Sequence, residues 1–319
     1  MKAGHRIIAA LVPMAAITAL WAGVAFHRDI TVARNRLAIG SDLAKTRCGP
    51  IEYATHGSGP PLLVVHGAGG GFDQGLMLAE GLEGFRIIAP SRFGYLRTPL
   101  PRDASAEAQA DAHACLLDAL GVGRVAVLGV SAGGPSALHF CLRHADRCAG
   151  LLLLVPMEYP FQTSPRMSPA ASWLMRCSLN SDFLFWAAIR LVPARMVETV
   201  LGTPFAAVRD ATPAERRRVC AILDSILPVS PRAKGLLHEG AIARALRPLP
   251  LERIAAPTLI VSAEDDGYRT FAGARYTAEH IRGARFIGYS RGGHMLVGHA
   301  KELNAEIATF LETLKASMQ

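Results

Sequence analysis

Gly129-Val130-Ser131-Ala132-Gly133 sets a hydroxyl between two glycines, directly after the apolar run Val125 to Val130 and before a helical stretch that reaches His144. A strand that turns sharply into a helix needs small residues on both sides of the turn, and such a turn exposes the central side chain at the sheet edge. The free N–H groups and dipole of the following helix favour negative charge developing on a substrate carbonyl oxygen. The pattern is that of a serine nucleophile for acyl transfer, with Ala132 supplying one oxyanion-binding N–H.

Such a serine needs a base and a carboxylate to orient it. Downstream, the run Thr258 to Ser262 leads into Ala263-Glu264-Asp265-Asp266-Gly267, and Ala284 to Tyr289 leads into Ser290-Arg291-Gly292-Gly293-His294. An acid and a histidine that each follow a core strand can meet a serine at the same sheet edge, and the chain order Ser, Asp, His completes the pattern. Five residues past His294, His299 would point roughly 140° away along a helix and so is excluded as the base. Upstream, Leu62 to Val65 leads into His66-Gly67-Ala68-Gly69-Gly70-Gly71. A dinucleotide fingerprint would need glycine at position 72, where the chain has Phe72. The turn reads instead as an oxyanion loop, with the N–H of Ala68, or of Gly69, joining that of Ala132. His66 reads as a hydrogen-bonded structural residue.

These residues require a scaffold that brings several strand ends together. Leu62 to Val65, Phe85 to Ala89, Val125 to Val130, Leu151 to Val155, Thr258 to Ser262 and Ala284 to Tyr289 read as strands, several too uniformly apolar to be exposed on either face. Between and after them, Ala110, Ala114, Leu117 and Leu120, and Leu303, Ile307, Phe310 and Leu314, recur at helical spacing. The alternation implies an α/β fold, a mostly parallel sheet with helices on both faces and its reactive edge at the carboxyl ends of the strands. Met157 to Pro250 breaks the alternation. It reads as short helices forming a lid, with its aromatic side chains mostly in the lid's own core. Trp173, Phe185 and Trp186, beside Gly69, are the candidates for substrate contact.

With these residues in view, the chain resembles the α/β-hydrolase superfamily over nearly its whole length beyond the N-terminal segment. The resemblance rests on His66-Gly67, Gly129-Val130-Ser131-Ala132-Gly133, the acidic turn ending in Asp266, Gly293-His294 and an amphipathic C-terminal helix. It implies a helical cap at 157–250 between core segments 46–156 and 251–319. Family spacing selects Asp266 as the acid, with Asp265 and Glu264 facing solvent. Glu158 is the rival, because some members carry the acid after the earlier strand. Two departures stand out: Ala263 where glycine is frequent, and Ser91 near a position that is often acidic. Serine as nucleophile argues against the related epoxide hydrolases and haloalkane dehalogenases, which use aspartate.

Other classes receive little support. The net charge is +8, but the basic residues are scattered and only Arg216 to Arg218 cluster, so no nucleic-acid partner is implied. No metal or organic cofactor is implied either. Ile7 to Phe26 carries no formal charge and is about the length of a membrane span. Residues 1–30 are therefore expected to be a membrane anchor whose removal spares the domain, or a cleaved signal that leaves the protein periplasmic or secreted, and 31–45 a connector. Of the six cysteines, Cys177 and Cys220 form the expected disulfide if the domain is exported. The expected function is hydrolysis of a small or medium apolar carboxylic ester. Lactonase, carbon–carbon hydrolase and perhydrolase reactions use the same triad. A ligand-binding or membrane-tethered interaction protein on the same fold is the non-catalytic alternative.

Overall fold

The computed structural model describes residues 2–161 and 168–318, with side chains excluded at residues 2–17 and at Ser317. The chain opens with helix α1 (Lys2–Ala38) and two strands, β1 (Asp42–Thr46) and β2 (Gly49–His56). Then β3 (Pro61–Val65), α2 (Phe72–Leu78), β4 (Arg86–Pro90), α3 (Ala106–Ala119), β5 (Val125–Val130), α4 (Gly134–Arg143) and β6 (Cys148–Leu154) alternate. Six helices follow: α5 (Pro169–Leu179), α6 (Asp182–Leu191), α7 (Pro193–Val200), α8 (Phe205–Asp210), α9 (Pro213–Ser225) and α10 (Ala233–Ala245). The chain returns through β7 (Thr258–Ala263), α11 (Phe271–His280), β8 (Arg285–Tyr289) and α12 (Ala300–Leu314).

All eight strands form one sheet in the order β1-β2-β4-β3-β5-β6-β7-β8. From β4 through β8 neighbouring strands are parallel, and β1 and β2 add an antiparallel edge. Alternate residues of the central strands serve two cores. Leu63, Val127, Leu153 and Ile260 pack toward α3 and α4, whereas Leu62, Leu128, Leu152 and Val261 pack toward Leu303, Ile307 and Leu311 of α12. Burial on both faces is why these strands read as continuous apolar runs. β1, at the edge, has no buried residue, and β2 mixes buried Ile51, Glu52 and Ala54 with exposed polar residues, so neither reads as an apolar run.

Residues 31–45 are not a connector. Helix α1 continues to Ala38 and β1 begins at Asp42. The second half of α1 docks on the α5–α10 segment, where Ile30 and Ala33 are buried. Asp29 accepts from the Trp186 indole N–H at 2.9 Å and pairs with Arg190 at 3.0 Å. Arg36 donates to the carbonyl of Ser225 at 2.9 Å and pairs with Asp73 at 3.2 Å. Residues up to 30 therefore belong in part to the packing of the domain. Residues 7–17 of the expected membrane segment lie outside the side chains described, and among the described residues no helix is long and apolar enough to cross a membrane.

The disulfide expectation is also corrected. Cys48 is bonded to Cys115 and Cys141 to Cys148, whereas Cys177 and Cys220 are free. The first bond ties the β1–β2 turn to α3 and the second ties the end of α4 to β6. Both are tertiary neighbours that sequence spacing does not reveal.

Candidate active site

Ser131 stands directly after β5 with φ 51°, a left-handed backbone that holds its side chain at the sheet edge. The close packing that makes this turn possible excludes side chains around it. A Cβ on Gly129 would lie 2.7 Å from Ala137 Cβ, and one on Gly133 would meet the carbonyls of Val65 and His66. Across the site, Gly67 allows the loop after β3 to approach the serine, since a Cβ there would sit 3.2 Å from Ser131 Cβ. The two glycines of the turn are thus demanded by the backbones they touch.

His294 and Asp266 are brought together by the loops after β8 and β7. Asp266 Oδ2 lies 2.8 Å from His294 Nδ1, with both side chains buried. The carboxylate also accepts from the Tyr268 N–H at 2.8 Å and from the Thr270 hydroxyl. With its ring edge to face against His294 at 4.8 Å, Tyr268 fixes the imidazole plane. Burial, with the neighbouring Asp266 charge, pushes the Tyr268 phenol up to about 12. His294 and Val130, which precedes the serine, line one cavity of about 460 Å³. Met77, Leu78, Leu154, Ile222, Leu296 and Ile307 make its wall predominantly apolar.

Several supporting residues were not anticipated. Asp265 does not face solvent idly: its carboxylate accepts from the N–H groups of Gly292 and Gly293 at 3.2 and 2.7 Å, tying the acid loop to the histidine loop. Gly202, between α7 and α8, offers one carbonyl to both loops, accepting from Gly267 N–H at 2.8 Å and His294 N–H at 3.2 Å. Its φ is +54°, and an added Cβ would meet the Tyr268 ring at 2.6 Å. Thr203 accepts from Met295 N–H at 3.0 Å. No sequence signal marks these residues, because their partners lie 27 to 92 positions away.

The loop after β3 is held by β4 and α10. Arg92 donates its N–H to His66 Nε2 and its guanidinium to the His66 carbonyl, both at 2.9 Å. His66 Nδ1 in turn lies 2.7 Å from the Gly67 carbonyl, so the ring is a neutral brace. Burial, and next the Arg92 charge, hold its pKa well below the usual histidine range. Glu239 of α10 pairs with Arg92 and accepts from Tyr95, whose hydroxyl accepts from Gly69 N–H at 3.4 Å. Where acid is frequent in the resembled family, Ser91 donates to Glu52 of β2 at 2.9 Å. The neighbouring strand thus supplies a carboxylate that the loop lacks.

Other candidates are not brought to the cavity. Trp173 is 67% exposed on α5. Phe185 and Trp186 are buried in the core of the α5–α10 segment with Ile189 and Val197, facing α1 rather than the serine. Their aromatic surface serves helix packing, the larger demand in a segment made only of short helices. Glu158 follows β6 but bonds to no histidine. Its Oε1 is buried without a hydrogen-bond partner beside Gly134, and burial raises its pKa well above the usual carboxylate range. His299 does not share a helix with His294. It sits just before α12 and contacts the Arg291 carbonyl at 3.0 Å.

A family model for the alpha/beta hydrolase fold matches residues 60–298, which contain the serine turn, both loops and the intervening helices. The chain belongs to the α/β-hydrolase fold family. It is 28% identical over 280 residues to the hydrolase YcgS of Bacillus subtilis, spanning 83% of this chain and 96% of that one. It is 36% identical over 119 residues to the lipase LipV of Mycobacterium tuberculosis, covering 36% of this chain and 42% of the lipase. Among solved structures, an α/β hydrolase fold protein from Nakamurella multipartita superposes with a TM-score of 0.72 at 27% identity, over 87% of this chain and 99% of that one. The helices α5–α10 lie between β6 and β7 in the chain, within the matched residues.

Proposed function

We propose that this α/β hydrolase cleaves carboxylic esters of small or medium apolar acids through an acyl-enzyme on Ser131. The observation that carries the reading is the buried pair of Asp266 and His294, 2.8 Å apart, whose histidine lines the cavity that also reaches Val130, next to Ser131. In the proposed cycle His294 Nε2 takes the Ser131 proton as the hydroxyl attacks the ester carbonyl. Asp266 accepts the Nδ1–H and stabilises the imidazolium. The N–H groups of Ala68 and Ala132 receive the oxyanion. Gly69 is the weaker candidate because its N–H already meets the Tyr95 hydroxyl. The imidazolium then protonates the departing alcohol, and water activated by the same histidine releases the acid.

The apolar cavity wall supports an apolar acyl group, since each buried CH₂ contributes about 0.8 kcal/mol to binding. The lipase name of one relative agrees with ester cleavage. Two disulfides and the uncharged N-terminal run support a place for the domain in an oxidising compartment, beside or beyond a membrane. The test is covalent labelling with a fluorophosphonate, followed by turnover of nitrophenyl esters of graded chain length with lactones alongside. Ser131→Ala should abolish labelling with an unchanged circular dichroism spectrum. Stoichiometric labelling that persists in the folded variant removes Ser131 as nucleophile, and preference for a lactone over every linear ester replaces the esterase reading.

A further inference from the structure

Exposed large apolar side chains are not spread evenly over this molecule. On the sheet domain they occur singly, as at Leu43 and Leu100, which is ordinary for a protein surface. On the second half of α1 and on α5 and α6 they gather: Trp21, Val24, Trp173, Leu174, Leu184 and Leu191 are all exposed, Trp21 at 70% and Leu191 at 79%. The three helices make one surface. Phe26 of α1 meets Phe183 and Trp186 of α6 edge to face at 5.3 and 5.5 Å, and α5 packs beside α6. None of the residues of α5 is buried, although half of that helix is apolar or aromatic. A contiguous apolar face of this kind marks an interaction site.

Two features identify what covers it. The helix that contributes Trp21 and Val24 is the one that carries the uncharged run Ile7 to Phe26, so the exposed face continues directly into apolar sequence. The segments 18–38 and 169–191 also hold five arginines; four of them are ion-paired, and Arg28 and Arg34 still expose 75% and 64% of their side chains. Asp29 pairs with Arg190 and Asp182 with Arg34. The exposed guanidinium groups of Arg28 and Arg34 can meet anionic lipid head groups, and tryptophan is suited to the boundary between head groups and acyl chains.

We infer that the outer face of α1, α5 and α6 lies against the surface of an anionic bilayer, with Trp21 and Trp173 at head-group depth and the α5–α10 segment turned toward the lipid. The face rests on the bilayer rather than spanning it. This placement is independent of the bond that Ser131 attacks.

The test uses the full chain added to vesicles of phosphatidylcholine with phosphatidylglycerol, in which the phosphatidylcholine is brominated either near the head of its acyl chains or near their ends. Of the three tryptophans Trp186 is buried and Trp21 and Trp173 are exposed, so Trp173→Phe should leave the fold intact and remove about half of the quenchable emission. Shallow bromine should quench the full chain more than the Trp173→Phe chain, and deep bromine should quench both weakly at this site. Equal quenching of the two chains by shallow bromine overturns the proposal, as does failure of the full chain to bind the vesicles. Concentration-dependent shielding of Trp173 from acrylamide in detergent without lipid, together with no difference in bromine quenching, assigns the face to a second copy and overturns it as well.

Discussion

Replacing Asp266 by Asn tests the core of the catalytic reading, because it changes one charge and almost no volume. The native carboxylate is fully buried and accepts from His294 Nδ1, the Tyr268 N–H and the Thr270 hydroxyl. In the transition state the histidine is an imidazolium, and loss of its buried partner costs about 3–5 kcal/mol. At 1.36 kcal/mol per decade this corresponds to a fall of roughly 10² to 10⁴ in kcat. Asn can keep the Tyr268 N–H on its oxygen, which leaves its amide nitrogen facing Nδ1. That donor favours the tautomer with a proton on Nε2, which cannot accept the serine proton, so the upper part of the range, about 10³ to 10⁴, is expected. KM should change little, because Asp266 does not line the cavity wall. The assay is nitrophenyl butyrate hydrolysis, with active sites counted by fluorophosphonate and folding checked by circular dichroism. Retention of more than a tenth of the activity by Asp266→Asn, with loss in Glu158→Gln, would refute the reasoning and move the orienting acid to the end of β6.

Three further outcomes follow from the same geometry. Glu158 is buried without a partner at Oε1, and its folded-state pKa is raised, so its favourable neutral form is retained at acid pH and its contribution declines as pH rises from the unfolded carboxylate value toward the folded one. Glu158→Gln should therefore match the parent in Tm at about pH 4 and exceed it above neutrality, by about 2–4 °C per kcal/mol relieved, as read by differential scanning calorimetry; a variant less stable at high pH than the parent contradicts this. Gly202→Ala forces a side chain into a backbone at φ +54° and against the Tyr268 ring, so the acid and histidine loops must shift together. A displacement near 1 Å costs about 10²-fold in turnover, and kcat/KM unchanged within a factor of about two would show that Gly202 does not hold the loops. Truncation of residues 1–17 should leave the domain's melting temperature unchanged. Truncation of 1–30 removes Phe26, Asp29 and Ile30 from the α5–α10 segment, strips the Trp186 N–H of its acceptor and should cost about 1–3 kcal/mol for that unsatisfied donor alone, visible as a lower Tm.

The sequence by itself determined the parallel part of the sheet, because strands buried on both faces must be apolar throughout. Ser131, His294 and Asp266 were legible for a related reason: each lies within a few residues of a core strand's end, where local chain order fixes spatial order. The interval between β6 and β7 was legible as one without strands. Only the tertiary structure decided what depends on residues far apart in the chain. It set Trp186 against Asp29 of α1 rather than against a substrate, paired Cys48 with Cys115 rather than Cys177 with Cys220, and gave Asp265 the task of joining two loops. It also made the carbonyl of Gly202 the common anchor of acid and base. Aromatic residues, cysteines and carboxylates have the same composition whether they face a core, a cavity or a neighbour. Their roles are set by which distant elements the fold packs against them, and that information is carried by no local pattern.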